Sequence, residues 1–185
     1  MPDARKEQLT PKLAEELVKI LSSRGKTIAI AESCTAGLVS DFLARVPGAS
    51  KVLWGSFVTY TADAKTKMLR VPDALIKAHG EVSRPTALAM AKGALKKSRA
   101  NMAFSVTGYA GPGGSENQPG NPHNVPTGVV WIGSAYREDS PPNRLRAEAK
   151  MFTFVGSRNE VRRAAAAAVL EEIFQKVNGD ISTCR

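Results

Sequence analysis

The sequence predicts a three-layer α/β/α fold around a mixed, mostly parallel sheet of about five or six strands, and three observations carry that expectation. Short apolar runs of β-compatible residues alternate with stretches whose apolar residues recur at helical spacing. Three strand runs end at polar residues, Ser33, Tyr60 and Thr107, on or beside the following turns, so their ends converge if the strands are parallel. The 185 residues match the usual size of one domain, and 43% hydrophobic content is enough for a sizeable core. The expectation is one domain over 1–185, with polar tails at 1–9 and 178–185.

The elements follow in order. Thr10 as cap, Pro11 at the first helical position and Leu13, Leu17, Ile20 and Leu21 on one face predict a helix from Thr10 to Ser23, ended by Arg24-Gly25. Thr27 to Ala31 reads as a strand, and Ser33-Cys34-Thr35-Ala36-Gly37-Leu38 as the beginning of a helix. A second strand fits Val52 to Tyr60, followed by a helix capped near Thr61 and carrying Lys65, Met68 and Leu69. Pro72 to Ala78 predicts a short helix closed by His79-Gly80, and Ser83 to Arg99 a longer one that tolerates Pro85 in its first turn. Met102 to Val106 predicts a strand running into a glycine-rich loop, Thr107 to Gly114, that continues through Asn121-Pro122 to Pro126. Gly128 to Tyr136 and Ala147 to Val155 read as an antiparallel pair joined by the polar loop Arg137 to Arg146. Ser157 caps a last helix with Ala166, Val169, Leu170, Ile173, Phe174 and Val177 on one face.

Bulk composition narrows the function. No apolar run approaches the roughly 20 residues of a membrane span, and Met1-Pro2-Asp3-Ala4-Arg5-Lys6 is not followed by an apolar signal region, which predicts a cytoplasmic protein without membrane partners. Two cysteines, Cys34 and Cys184, predict reduced thiols rather than a disulfide scaffold or a structural zinc site. With His79 and His123 far apart in sequence, no structural metal is expected. Lys and Arg number 26 against 17 Asp and Glu, and the resulting +9 should attract anions, phosphorylated metabolites and nucleic acid alike.

Ser33 leaves a buried strand at a turn into a helix, where backbone N–H groups can stabilise an oxyanion. The competing structural role for Ser33 or Thr35 is a helix cap, and no G-x-S-x-G elbow surrounds Ser33. Lys65 is the candidate base, because a desolvated lysine can lose its proton near neutral pH and activate a hydroxyl; Tyr60 can relay or orient that proton. Against this stand a solvated lysine and a merely packing aromatic. Cys34 ranks below Ser33 as nucleophile, since buried cysteine near a strand is commonly inert. Arg158 and Arg162, four apart, share one helix face suited to a phosphate or to an ordinary basic surface. Thr107-Gly108-x-x-Gly111-Pro112 offers approachable backbone but is neither a P-loop nor a dinucleotide fingerprint.

Taken together, Ala31-Glu32-Ser33-Cys34-Thr35-Ala36-Gly37-Leu38, Phe57-Val58-Thr59-Tyr60, Lys65, Thr107-Gly108-Tyr109-Ala110-Gly111-Pro112 and Gly128-Val129-Val130 closely resemble the CinA C-terminal domain family, over roughly Leu13 to Phe174. The resemblance implies a stand-alone nicotinamide-nucleotide amidase, converting nicotinamide mononucleotide to nicotinate mononucleotide and ammonia without a cofactor. It places the catalytic set on Ser33, Tyr60 and Lys65 and substrate contacts on Glu32, Thr35, Phe57, Thr107, Gly108, Gly111 and Gly128, with Arg158 or Arg162 receiving the phosphate. Its implied partner is a phosphorylated pyridine nucleotide; no specific nucleic acid is expected, and a homo-oligomer is left open. Ala36 stands where the family often has glycine, Tyr109 replaces a commoner aliphatic residue, and the stretch from Gly113 to Pro126 looks extended. The alternative function is a non-catalytic CinA-like module that binds nucleotide or nucleic acid and is linked to competence or DNA damage.

Overall fold

A computed structural model of the chain describes residues 4–111, 124–137 and 144–179, with side chains from Thr10 onward. Most of the extended loop 113–126, including His123, most of the loop 137–146, and Cys184 in the polar tail lie outside the described residues.

Five strands among the described residues, β1 (Ile28–Glu32), β2 (Leu53–Val58), β3 (Met102–Gly108), β4 (Val129–Arg137) and β5 (Leu145–Thr153), form one mixed sheet in the order β2-β1-β3-β4-β5. β2, β1 and β3 pair in parallel, while β4 is antiparallel to both β3 and β5. β4 therefore runs against the other four. Six α-helices among the described residues complete three layers. α1 (Ala4–Ser23), α2 (Leu38–Ala44) and α6 (Arg158–Gly179) cover one face; α3 (Ala62–Leu69), α4 (Asp73–His79) and α5 (Arg84–Lys97) cover the other. β2 and β3 flank β1 on opposite sides, so right-handed crossovers send the two connections over opposite faces.

Alternation along the strands divides the core in two. Ile28 and Ile30 join Phe104 and Val106 beneath α1, α2 and α6, whereas Ala29, Ala31, Ala103 and Ala135 face α5. The small side chains let α5 approach until Ser105 Oγ donates to the Ala87 carbonyl at 2.7 Å. Among the described residues no helix is long and apolar enough to cross a membrane.

Two helix starts differ from the expectation. α1 begins at Ala4 and carries Pro11 in its interior, where the sequence pattern predicts Thr10 as the cap. Ala4 to Leu9 are good helix formers, which lets the helix run on upstream of Pro11 even though a proline inside a helix costs roughly 3 kcal/mol. α2 begins at Leu38 instead of Ser33, because Ala36 (φ 51°) and Gly37 (φ 97°) are both left-handed and interrupt the helical run. Ser33 is thus on a bend ahead of the helix, not in its first turn.

Candidate active site

Parallel pairing brings the C-terminal ends of β1, β2 and β3 together. The Ser33 N–H donates to the Val106 carbonyl at 2.9 Å, and the Thr59 N–H to the Glu32 carbonyl at 2.7 Å. Ser33 is held between its two neighbours at this edge.

The bend that presents Ser33 is organised by Glu32. A carboxylate ending an apolar strand must have its oxygens satisfied, and here both are. Oε2 accepts from Thr35 Oγ1 (2.8 Å), Gly37 N–H (2.8 Å) and Val39 N–H (3.2 Å); Oε1 accepts from Ser40 N–H (3.1 Å), Ser40 Oγ (2.7 Å) and Ser56 Oγ (3.2 Å). Glu32 and Thr35 are fully buried, with their side chains turned to each other. The N–H groups at the start of α2, expected from the sequence to stabilise an oxyanion, are instead spent on Glu32.

Lys65 reaches the same place from α3. Thr61 caps this helix by accepting from the Ala64 N–H at 3.2 Å. Lys65 lies one turn before the buried Leu69, so the apolar stripe carries the lysine inward. Its side chain is only 1% exposed. Nζ donates to Ser33 Oγ at 3.2 Å, to the Tyr60 carbonyl at 3.3 Å and to Glu81 Oε2 at 2.9 Å. Tyr60 thus meets the lysine through its backbone, while its residue as a whole is 57% exposed.

Glu81 is the member of this cluster that sequence reading misses. It lies between Gly80, which closes α4, and Ser83, which caps α5; Thr86 Oγ1 pins that connection by donating to the Gly80 carbonyl at 2.7 Å. Thr107 Oγ1 donates to Glu81's own carbonyl at 2.9 Å, so the predicted substrate-binding threonine anchors the residue that pairs with Lys65. No motif or spacing marks Glu81, because its pairing with Lys65 arises only when α3 and the α4–α5 connection meet.

Burial pushes the Cys34 thiol up to about 12, chiefly by desolvation, which leaves it protonated and supports its rank below Ser33. Arg162 fastens α6 to the serine bend: Nε donates to the Cys34 carbonyl at 3.1 Å and Nη2 to the Thr35 carbonyl at 3.0 Å. Arg158, one turn earlier, packs against Gly111, where an added Cβ would lie 2.8 Å from Arg158 Cβ and 2.9 Å from its Nε. Ser157 and Glu160 form a capping box at the start of α6, with Glu160 Oε2 accepting from both Ser157 N–H and Ser157 Oγ at 2.7 Å.

The remaining predicted contacts spread outward. Gly108 pairs with Val130 across β3 and β4. Gly128 has φ 91°, and an added Cβ would collide with the Phe154 carbonyl, so this glycine shapes the start of β4. Phe57 stacks on Trp54 with centroids 5.7 Å apart and packs against the α5-side core. The structure brings Ser33, Lys65, the Tyr60 backbone, Thr107 and, through Gly111, Arg158 to one end of the sheet. Among the described residues no group of three or more His, Cys, Asp or Glu side chains is gathered in a way that would hold a metal ion.

Comparison with known proteins extends this picture. The CinA C-terminal domain matches residues 10–177. A CinA-like protein of Chlorobaculum tepidum is 43% identical over 157 residues, covering 84% of this chain and 35% of that protein. Nicotinamide-nucleotide amidohydrolase PncC of Escherichia coli strain K12 is 38% identical over 165 residues, covering 89% of this chain and 92% of that one. Competence/damage inducible protein CihA of Agrobacterium tumefaciens, a solved structure, is 36% identical with a TM-score of 0.78, covering 91% of this chain and 95% of that one. The chain spans 35% to 37% of the length of its relatives from Caldicellulosiruptor bescii, Chlorobaculum tepidum and Symbiobacterium thermophilum.

Proposed function

The chain belongs to the CinA C-terminal domain family, and we propose that it is a nicotinamide-nucleotide amidohydrolase in which Ser33 attacks the carboxamide of nicotinamide mononucleotide. The observation that carries this reading is the 3.2 Å contact between Ser33 Oγ and Lys65 Nζ, in a place where both side chains are buried. A hydroxyl and an amine at that distance form a nucleophile and base pair.

Lys65, in its amine form, takes the Ser33 proton as Oγ bonds to the carboxamide carbon. The same proton passes from Lys65 to the amide nitrogen, the C–N bond breaks, ammonia departs and an acyl ester remains on Ser33. Water then attacks the ester, giving a proton to Lys65; the C–Oγ bond breaks and Oγ recovers that proton. Tyr60 contributes its carbonyl, which fixes Nζ. Arg158 or Arg162 receives the nucleotide phosphate: Arg158 packs against Gly111, and Arg162 ties the serine bend through Nε and Nη2. The +9 charge favours an anionic substrate of this kind.

Ser33→Ala is expected to abolish ammonia release from nicotinamide mononucleotide while leaving the circular dichroism spectrum unchanged. Turnover at the parent rate in that variant, or salt-dependent DNA binding without amidase activity in the parent, would replace this reading with a binding module.

A further inference from the structure

Lys65 has little contact with water of its own, its side chain being 1% exposed. Its ammonium can donate three hydrogen bonds, and its three partners among the described residues are Ser33 Oγ, the Tyr60 carbonyl and Glu81 Oε2. A backbone carbonyl does not carry a proton away. Protons therefore reach or leave Nζ through Ser33, which is buried, or through Glu81, whose side chain is 26% exposed.

The hydrolase reading, on which this inference rests, leaves one proton to discharge in every cycle. Carboxamide and water give a carboxylic acid and ammonia. Ammonia leaves as NH3 with the proton that began on Ser33, and Oγ is restored with a proton from water. The product acid then ionises, carboxylic acids being much stronger acids than ammonium groups, and its proton passes to the base beside it, Lys65. As an ammonium, Lys65 cannot take the next proton from Ser33.

We propose that Glu81 is the proton outlet of the dyad: its carboxylate takes the proton from Lys65 Nζ across the 2.9 Å contact, a short-lived step against the order of acidities, becomes transiently neutral, and loss of the proton to solvent draws the transfer forward. The same contact holds Nζ against Ser33, so Glu81 acts on the chemistry through Lys65. Its surroundings fit the role. Thr107 fixes the Glu81 backbone from the end of β3. Tyr109 is raised to about 12 by burial and by the Glu81 charge, and Cys34 to about 12 chiefly by burial, so both stay protonated and leave the relay to the carboxylate.

Glu81→Gln keeps an oxygen facing Nζ but cannot accept a proton. Its kcat for ammonia release from nicotinamide mononucleotide is expected to fall by about 10²-fold, with KM within about twofold of the parent. Glu81→Ala should lose a similar factor and recover most of it in formate or imidazole buffer, small bases that replace the missing carboxylate; a side chain that only supports the fold would show no such recovery. A Glu81→Gln kcat within about twofold of the parent, or a Glu81→Ala loss that neither buffer restores, overturns the outlet. Ser33→Ala, assayed alongside, separates the two claims: continued turnover there sinks the hydrolase reading, whereas an inactive Ser33→Ala beside a fully active Glu81→Gln sinks the outlet alone.

Discussion

Three lysine–glutamate pairs among the described residues connect different elements, and two of them, Lys65–Glu81 and Lys176–Glu148, share little beyond their chemistry. Lys65 of α3 meets Glu81 beside the serine bend with the lysine sealed from water. Lys176 of α6 meets Glu148 of β5 at the far end of the sheet, where the carboxylate is 49% exposed, and the ammonium lies over the Tyr136 ring, 4.7 Å from its centroid. Lys150 and Glu172 bridge the same two elements nearby at 2.8 Å. At the surface, water competes for each charge and the pair adds little. In the buried cluster, water is replaced by a hydroxyl, a carbonyl and a carboxylate, which are the partners of the lysine's protons among the described residues. The same pair of residue types is a surface tie in one place and, in the proposed mechanism, part of the reactive centre in the other, and the difference is the third neighbour and the lysine's seclusion from water.

The comparison breaks most sharply at Lys65. Lys65→Met should reduce kcat by about 10³-fold or more, while stability moves by less than about 1.5 kcal/mol, since methionine fills the stem's space and Glu81 can turn to solvent. A stability loss above about 3 kcal/mol in urea titration would instead make the buried lysine a structural member, unlike a reactive one.

A smaller effect is expected at the bend that carries Ser33. Ala36 has φ 51°, a left-handed conformation that costs a non-glycine residue about 1 kcal/mol. Ala36→Gly should therefore stabilise the protein by about 0.5 kcal/mol after the added flexibility of the unfolded chain is subtracted, read as a higher denaturation midpoint. The resemblance noted at this position, where the family often has glycine, acquires a physical reason: the site requires positive φ.

The smallest effect belongs to the surface pair. The hydrogen bond from Lys176 holds the Glu148 carboxyl below its ordinary value of 4.5, outweighing burial, which acts the other way. A lowered folded-state value gives stability that is present above 4.5 and is lost as the pH falls through the folded value. Glu148→Gln should remove that portion of the acid-side dependence and cost less than about 0.5 kcal/mol at neutral pH, because the exposed carboxylate is well screened. Thermal melts of parent and variant from neutral to acid pH check both statements.

The candidate site was legible wherever its signal was local. Ser33, Tyr60 and Thr107 were readable as polar residues at strand ends, and parallel pairing brings those ends together as anticipated. Lys65 was readable as a lysine near a capped helix start, although its inward direction depends on the stripe it shares with Leu69. Glu32 was readable as part of a motif, but not as the inaccessible carboxylate that ties the bend. Arg162 was readable as an anion ligand, but not as a clamp on two carbonyls more than a hundred positions away. The helix boundaries at Ala4 and Leu38 were missed because a tolerated proline and a left-handed alanine do not follow the usual rules of their residue types.

By itself the sequence determined the alternation of strands and helices, the buried strand ahead of Ser33, the family resemblance and the residue types at the strand ends. Those properties follow from periodicity and turn chemistry, which act over a few residues. The tertiary structure alone decided that Glu81 meets Lys65, that Arg162 grips the serine bend, and which of two similar ion pairs is sealed from water. Such pairings depend on where distant segments come to rest and on how much solvent remains between them, and no local pattern encodes either quantity.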